Sequence, residues 1–177
     1  MNTLNKKLIA GVAFAAFVSP AFGASDGTLG ATSSGTSDIT LEIADRVQIT
    51  SVEDITLGAW GGSGDMVGTT EFCVYRSGGD DYAVTLTADT GAFQVGSVTT
   101  LDNIAFSVRV DDDLDASDGE SLSYNTQSAV ALAGSSSLTC GGGDNAEVEV
   151  TFAEAALQAA STANDYQATI TILVEPI

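Results

Sequence analysis

The feature that most constrains this chain is a hydrophobic period of two that returns five times along it. Ile39, Leu41 and Ile43 alternate with Asp38, Thr40 and Glu42, and Tyr82, Val84 and Leu86 alternate with Asp81, Ala83, Thr85 and Thr87. Ile104, Phe106, Val108 and Val110 follow, with Arg109 on the opposite side, and then Val148, Val150 and Phe152 against Glu147, Glu149 and Thr151. The last run is Tyr166, Ala168, Ile170, Ile172 and Val174, just before Pro176. In an extended segment this spacing makes one oily and one wet face, so each run reads as a half-buried strand. Between the runs lie Gly61-Gly62-Ser63-Gly64, Ser77-Gly78-Gly79-Asp80 and Gly141-Gly142-Gly143-Asp144, turns that reach positive φ without a Cβ clash. Only residues 153–160, with Ala, Glu, Leu and Gln, suit a helix, and one of no more than two turns. Strands without long intervening helices predict an all-β fold, an antiparallel sandwich rather than a parallel α/β sheet.

Composition narrows the chemistry. The chain contains no His, which removes imidazole as general base or metal ligand and with it the Ser-His-Asp and Cys-His couples. Carboxylates are plentiful, but nothing in their order singles out an acid and base pair, so an enzyme is not expected and no catalytic residue or cofactor is assigned. Lys6 and Lys7 precede an apolar run from Leu8 to Val18, and Ala21 and Gly23 are small, which together read as a secretory signal over residues 1–23 cut before Ala24. That run is short for a bilayer span and no second one of spanning length follows, so the mature chain is expected to lack a membrane span. Both lysines leave with the signal. Arg46, Arg76 and Arg109 then stand as the only cations against 24 Asp and Glu. Such a surface repels phosphates and anionic headgroups, which excludes nucleic acid as a partner.

Cys73 and Cys140 survive processing, and an even count in an oxidising compartment points to a disulfide between them. In the chain-entropy picture, closing so long a loop stabilises by about 4 kcal/mol. The alternatives are two buried thiols, or a metal site that two Cys without His do not complete. Residues 24–37 are mostly Gly, Ser and Thr with one Leu, the composition of a flexible leader. The domain organisation expected is therefore a signal (1–23), a leader (24–44) and a β domain (45–177).

Three segments, taken in order, resemble the archaic chaperone-usher pilins with spore coat protein U-like domains. SDITLEI (37–43), RVQIT (46–50) and EDITLG (53–58) are similar to the donor segment, first strand and strand-to-loop transition of those pilins. FCVYRSGGDDYAVTLTADTG (72–91) is similar to their Cys, Gly-containing turn, Tyr and alternating strand, and STANDYQATITILVEP (161–176) to their closing loop, Tyr and final strand. One position departs from the pattern: those pilins usually carry a Cys in the first strand, where this chain has Val47 and Gln48, leaving Cys140 as the partner of Cys73.

The resemblance implies an immunoglobulin-like sandwich that lacks its last strand and is completed by donor-strand exchange. The missing strand would be residues 37–43 of a neighbouring subunit, with Ile39, Leu41 and Ile43 as anchors, and only Ile177 follows Pro176 to return in the same molecule. Burying three such side chains supplies roughly 5–9 kcal/mol before ordering costs. Repetition is head-to-tail, hence an open filament. The implied partners are identical or related subunits, a periplasmic chaperone and an outer-membrane usher, and the implied location is the surface of a Gram-negative-type bacterium, in a pilus or fimbrium serving adhesion. The alternative is that residues 39–43 are the first strand of a complete sandwich, an exported binding module for carbohydrate or calcium. Trp60, beside a Gly-rich segment, is its candidate sugar contact; Asp111, Asp113, Asp115 and Asp118 are its candidate calcium ligands, although the loop lacks the EF-hand Gly and Glu. Tyr75, Tyr82, Tyr124 and Tyr166 are expected at the core edge with wet hydroxyls.

Overall fold

A computed structural model describes residues 24–115 and 118–177; the expected signal, 1–23, lies outside the described residues. The described residues divide between Ile43 and Ala44 into two units. In the first, Ser25 and Thr36 exchange backbone hydrogen bonds at 3.1 and 3.0 Å and their hydroxyls lie 2.7 Å apart, closing a small exposed loop. Residues 37–43 form no strand, and Ile39, Leu41 and Ile43 are 94%, 84% and 79% exposed. The first strand of the second unit is β1, Val47–Thr50.

The second unit is built from antiparallel sheets, and the described residues are 38% strand and 8% helix, so the all-β expectation holds. One sheet has five strands in the order β1 (Val47–Thr50), β2 (Met66–Arg76), β9 (Ala146–Phe152), β6 (Ser107–Asp111), β7 (Glu120–Leu122). A second has β10 (Ile170–Pro176), β3 (Asp81–Ala88) and β8 (Leu132–Ala133), and a small hairpin joins β4 (Gln94–Gly96) to β5 (Asn103–Ala105). The alternation puts Phe72 and Val74 of β2, Val84 and Leu86 of β3, Val108 and Val110 of β6, and Val148, Val150 and Phe152 of β9 into one shared core. The single helix, α1 (Glu154–Ala159), lies inside the expected stretch, and its Glu154 N–H donates to the Asp65 carboxylate at 2.7 Å in place of a capping side chain of its own.

Besides residues 38–43, which form no strand, two runs differ from the expectation. Ile104 to Val110 is not one strand: β5 pairs with β4, the chain switches at Phe106, whose N–H donates to the Phe93 carbonyl at 3.0 Å, and β6 then pairs with β9 and β7. The last run joins the sheet only at Ile170, because Gln167 leaves to exchange backbone hydrogen bonds with Gly96 at 3.0 and 3.1 Å. The longest strand, β2, has an inward row of Met66, Gly68, Thr70, Phe72, Val74 and Arg76, too mixed to read as alternation. Gly68 is required there, since a Cβ would lie 2.6 Å from methyls of both Ile55 and Leu57, which cross over it. Cys73 and Cys140 are bonded, with Cα atoms 5.8 Å apart, tying β2 to the loop before β9.

Candidate assembly interface

β10 is an edge strand. On one side it pairs with β3 along its whole length, from Ile170 opposite Ala88 to Pro176 opposite Tyr82. Just before that ladder the Asp89 N–H donates to the Thr169 carbonyl at 3.0 Å, which fixes the phase. In an antiparallel ladder the bonding direction alternates. Thr171, Leu173 and Glu175 therefore bond to β3, while the backbone groups of Ile170, Ile172 and Val174 point away from it. The far side of β3 obeys the same phase: its Val84 and Leu86 carbonyls accept from Ser128 at 2.8 Å and Asn125 at 2.9 Å. β3 is thus satisfied on both sides, whereas among the described residues no backbone partner lies along the outer side of β10.

The side chains tell the same story. Val84 and Leu86 are fully buried, yet Ile170, Ile172 and Val174, one strand over on the same face, are only half-buried. Across the core, β1 lies alongside β10, and its inward Val47 and Ile49 are half-buried too, as are Ile55 and Leu57. Two neighbouring strand edges thus leave an apolar row incompletely covered, a feature that natural sheets ordinarily blunt.

One end of this row is held by a buried cation. Arg76, 3% exposed, forms an ion pair with Asp45, its second guanidinium nitrogen lying 2.8 Å from the other carboxylate oxygen. It also donates to the Asp81 carbonyl at 3.0 Å and the Ile177 carbonyl at 3.5 Å. Ser77 locks the same corner, donating to Asp45 at 2.9 Å and accepting from the Arg46 N–H at 2.9 Å. A bidentate pair of this kind, its guanidinium buried and its carboxylate open to solvent, fixes where residues 45–47 enter the sheet. Sequence reading gave Arg76 no role, since a lone Arg in an apolar run carries no local signal.

The remaining candidates are distributed elsewhere. Asp111, Asp113 and Asp118 bring carboxylate oxygens within 4.8 Å of one another, and Asp115 is not part of the group. Local turns account for the grouping: the Asp113 N–H donates to Asp111 at 2.7 Å and the Asp115 N–H to Asp113 at 3.0 Å. Burial of Asp111, with the Asp113 and Asp118 charges nearby, raises its carboxyl above the usual range. Trp60 donates its indole N–H to the Gly64 carbonyl at 2.9 Å, closing its own loop, and does not belong to the core.

Tyr82 corrects the expectation of a wet hydroxyl. It is fully buried, its hydroxyl has no hydrogen-bond partner among the described residues, and burial, reinforced by Asp112 and Asp111, pushes the phenol above its ordinary range. Tyr166 donates instead to the Ser161 carbonyl at 2.9 Å, within a clasp between residues 97–102 and 161–166. There Asp165 accepts from the Ser97 and Thr99 hydroxyls and the Thr99 N–H, and Asp102 from the Ser161 N–H at 2.8 Å. Those donors hold both carboxyls below the usual range, the Ser97 hydroxyl leading at Asp165 and the Ser161 N–H at Asp102.

Comparison of the chain with protein-family models and with curated proteins finds no match. Among the described residues, no helix is long and apolar enough to cross a membrane.

Proposed function

We propose that this protein is a structural pilus subunit, an immunoglobulin-like sandwich completed by donor-strand exchange. It polymerises head-to-tail as residues 37–43 of one copy add to the open edge of the next. The observation that carries this reading is the contrast along one ladder: β3 is paired on both sides and buried, while β10 beside it offers an unpaired edge over a half-buried row of Ile170, Ile172 and Val174. The leader supplies the complement, three exposed apolar residues at period two in a segment without a strand of its own. A strand added to such an edge gains main-chain hydrogen bonds for affinity and alternate side-chain burial for selectivity.

Export through the periplasm, with a chaperone shielding the edge and an usher driving assembly, follows from the family resemblance and belongs to the same proposal. The test is sedimentation and electron microscopy of full-length chains exported by an expression host. Wild-type chains are expected to form filaments, and Leu41→Asp to leave them monomeric with an unchanged melting curve. Filaments from Leu41→Asp chains, or a wild-type chain that stays monomeric at high concentration, would overturn the reading.

A further inference from the structure

Few cations are available to a neighbouring copy. Of the three arginines after residue 23, Arg76 is buried against Asp45, and Arg109 sits within the five-stranded sheet, in register with Glu149 and Ser121. Arg46 is exposed, its guanidinium has no ion-pair partner among the described residues, and it lines an open depression of about 320 Å3 with Val47, Gln48, Tyr75 and Leu138. Its position in the fold is defined. It immediately precedes β1, whose Val47 pairs with Arg76, and Arg76 reaches the carbonyl of Ile177 just beyond β10. Arg46 therefore lies at the end of the open edge where β10 finishes.

The leader of a second copy is the occupant whose charge fits. Between residues 24 and 43 it carries Asp26, Asp38 and Glu42 and no cation. Its three apolar residues match the three half-buried residues of β10 one for one. Antiparallel pairing, the more stable arrangement per residue, sets Leu41 opposite Ile172, Ile39 opposite Val174 and Ile43 opposite Ile170. That register brings Asp38 to the end of β10 and sets it opposite Glu175, a like-charge contact that needs a countercharge. Glu42 falls at the far end, opposite Thr171.

We infer that Arg46 of the accepting copy pairs with Asp38 of the donating copy, offsetting Glu175 and fixing the direction and register of the added strand. This rests on the assembly reading above. Arg46 is then a specificity residue: it meets Asp38 in the antiparallel register, whereas the parallel one carries Asp38 toward Asp89 at the other end of β10 and brings Glu42 toward Arg46 instead.

The test is a charge-reversal cycle in full-length chains, read as the critical concentration for filament formation. Arg46, Asp38 and Glu42 are all exposed, and unchanged melting curves of the unassembled variants confirm intact folding. Arg46→Glu is expected to raise the critical concentration about fivefold, the upper reach of an exposed ion pair. Asp38→Arg is expected to lower it about fivefold more in the Arg46→Glu chain than in the Arg46 chain, and Glu42→Arg to act equally in both. Coupling to Glu42 instead of Asp38 would show a parallel strand and overturn the inference. Filaments whose critical concentration shows no coupling at either position would overturn it while leaving polymerisation standing. If wild-type chains never assemble, the polymerisation reading falls first and this pairing with it.

Discussion

β3 and β10 are neighbours in one antiparallel ladder, contribute the same kinds of side chain to the same face, and differ in almost everything else. Val84 and Leu86 of β3 have a strand on one side, a bonded segment on the other and a sheet across the core, and are fully buried. Ile170, Ile172 and Val174 have a strand on one side only, and are half-buried. The difference is not in their hydrophobicity but in the number of neighbours the topology provides. A strand of equal apolar content becomes interior or interface according to whether another strand follows it in the sheet.

The largest expected effect falls on the closed side. Replacing both Cys73 and Cys140 with Ala should lower unfolding free energy by about 4 kcal/mol, measured by denaturant titration, because the tie between β2 and the loop before β9 no longer restricts the unfolded chain. Next comes the direct contrast. Leu86→Ala should cost about 3 kcal/mol in the unassembled chain, while Ile172→Ala, starting only partly buried, should cost about 1 kcal/mol. If filaments form, the ranking should narrow, since Ile172 is then covered. Equal costs in the unassembled chain would remove the contrast altogether.

Gly134→Ala should destabilise by about 1–3 kcal/mol, since its Cβ would lie 2.8 Å from the Asp80 carbonyl and press on the Arg76 stem. That corner closes the β10 end of the open edge, so the variant should also impair assembly more than its loss of stability predicts.

The smallest effects are electrostatic. Asp102 and Asp165 have folded-state values below their unfolded ones, so the stability they lend is complete above the ordinary carboxyl range near 3.8 and is lost as pH falls through the lowered values. Amide exchange in residues 97–102 should accelerate in that acidic window, and Asp165→Asn should remove most of the pH dependence. Asp111 has the opposite sign. Its raised value means that its charge opposes folding at neutral pH, so Asp111→Asn, which keeps the acceptor for the Asp113 N–H, should raise the melting midpoint at pH 7 and do nothing once the carboxyl is protonated.

Much of the fold was legible where one face is oily and the other wet. β3, β9 and the helix follow from local spacing, β1 only from the resemblance of RVQIT (46–50) to a pilin first strand, and the Cys73–Cys140 tie from there being two cysteines. β2 was hidden because Gly68 and Thr70 occupy inward positions, one making room for Ile55 and Leu57 and the other exchanging hydrogen bonds with the Glu53 backbone at 3.1 and 2.9 Å. The break at Phe106 and the late start of β10 were hidden for a different reason. Alternation reports which way a side chain faces but not which strand its backbone bonds to, and both segments change partner without changing phase.

At the candidate edge, the sequence supplied the three apolar anchors of the leader and the final alternating run. It was silent on Arg76, Asp45 and Arg46, whose roles depend on what lies beside them. By itself, then, the sequence determined that the chain would be β-rich and antiparallel, acidic, stapled once and led by a polar segment with a short alternating strip, because these follow from composition and local period. Only the tertiary structure decided that β3 would be interior and β10 an open edge. Two runs with the same pattern acquire different environments when long-range pairing gives one of them neighbours on both sides and the other a neighbour on one.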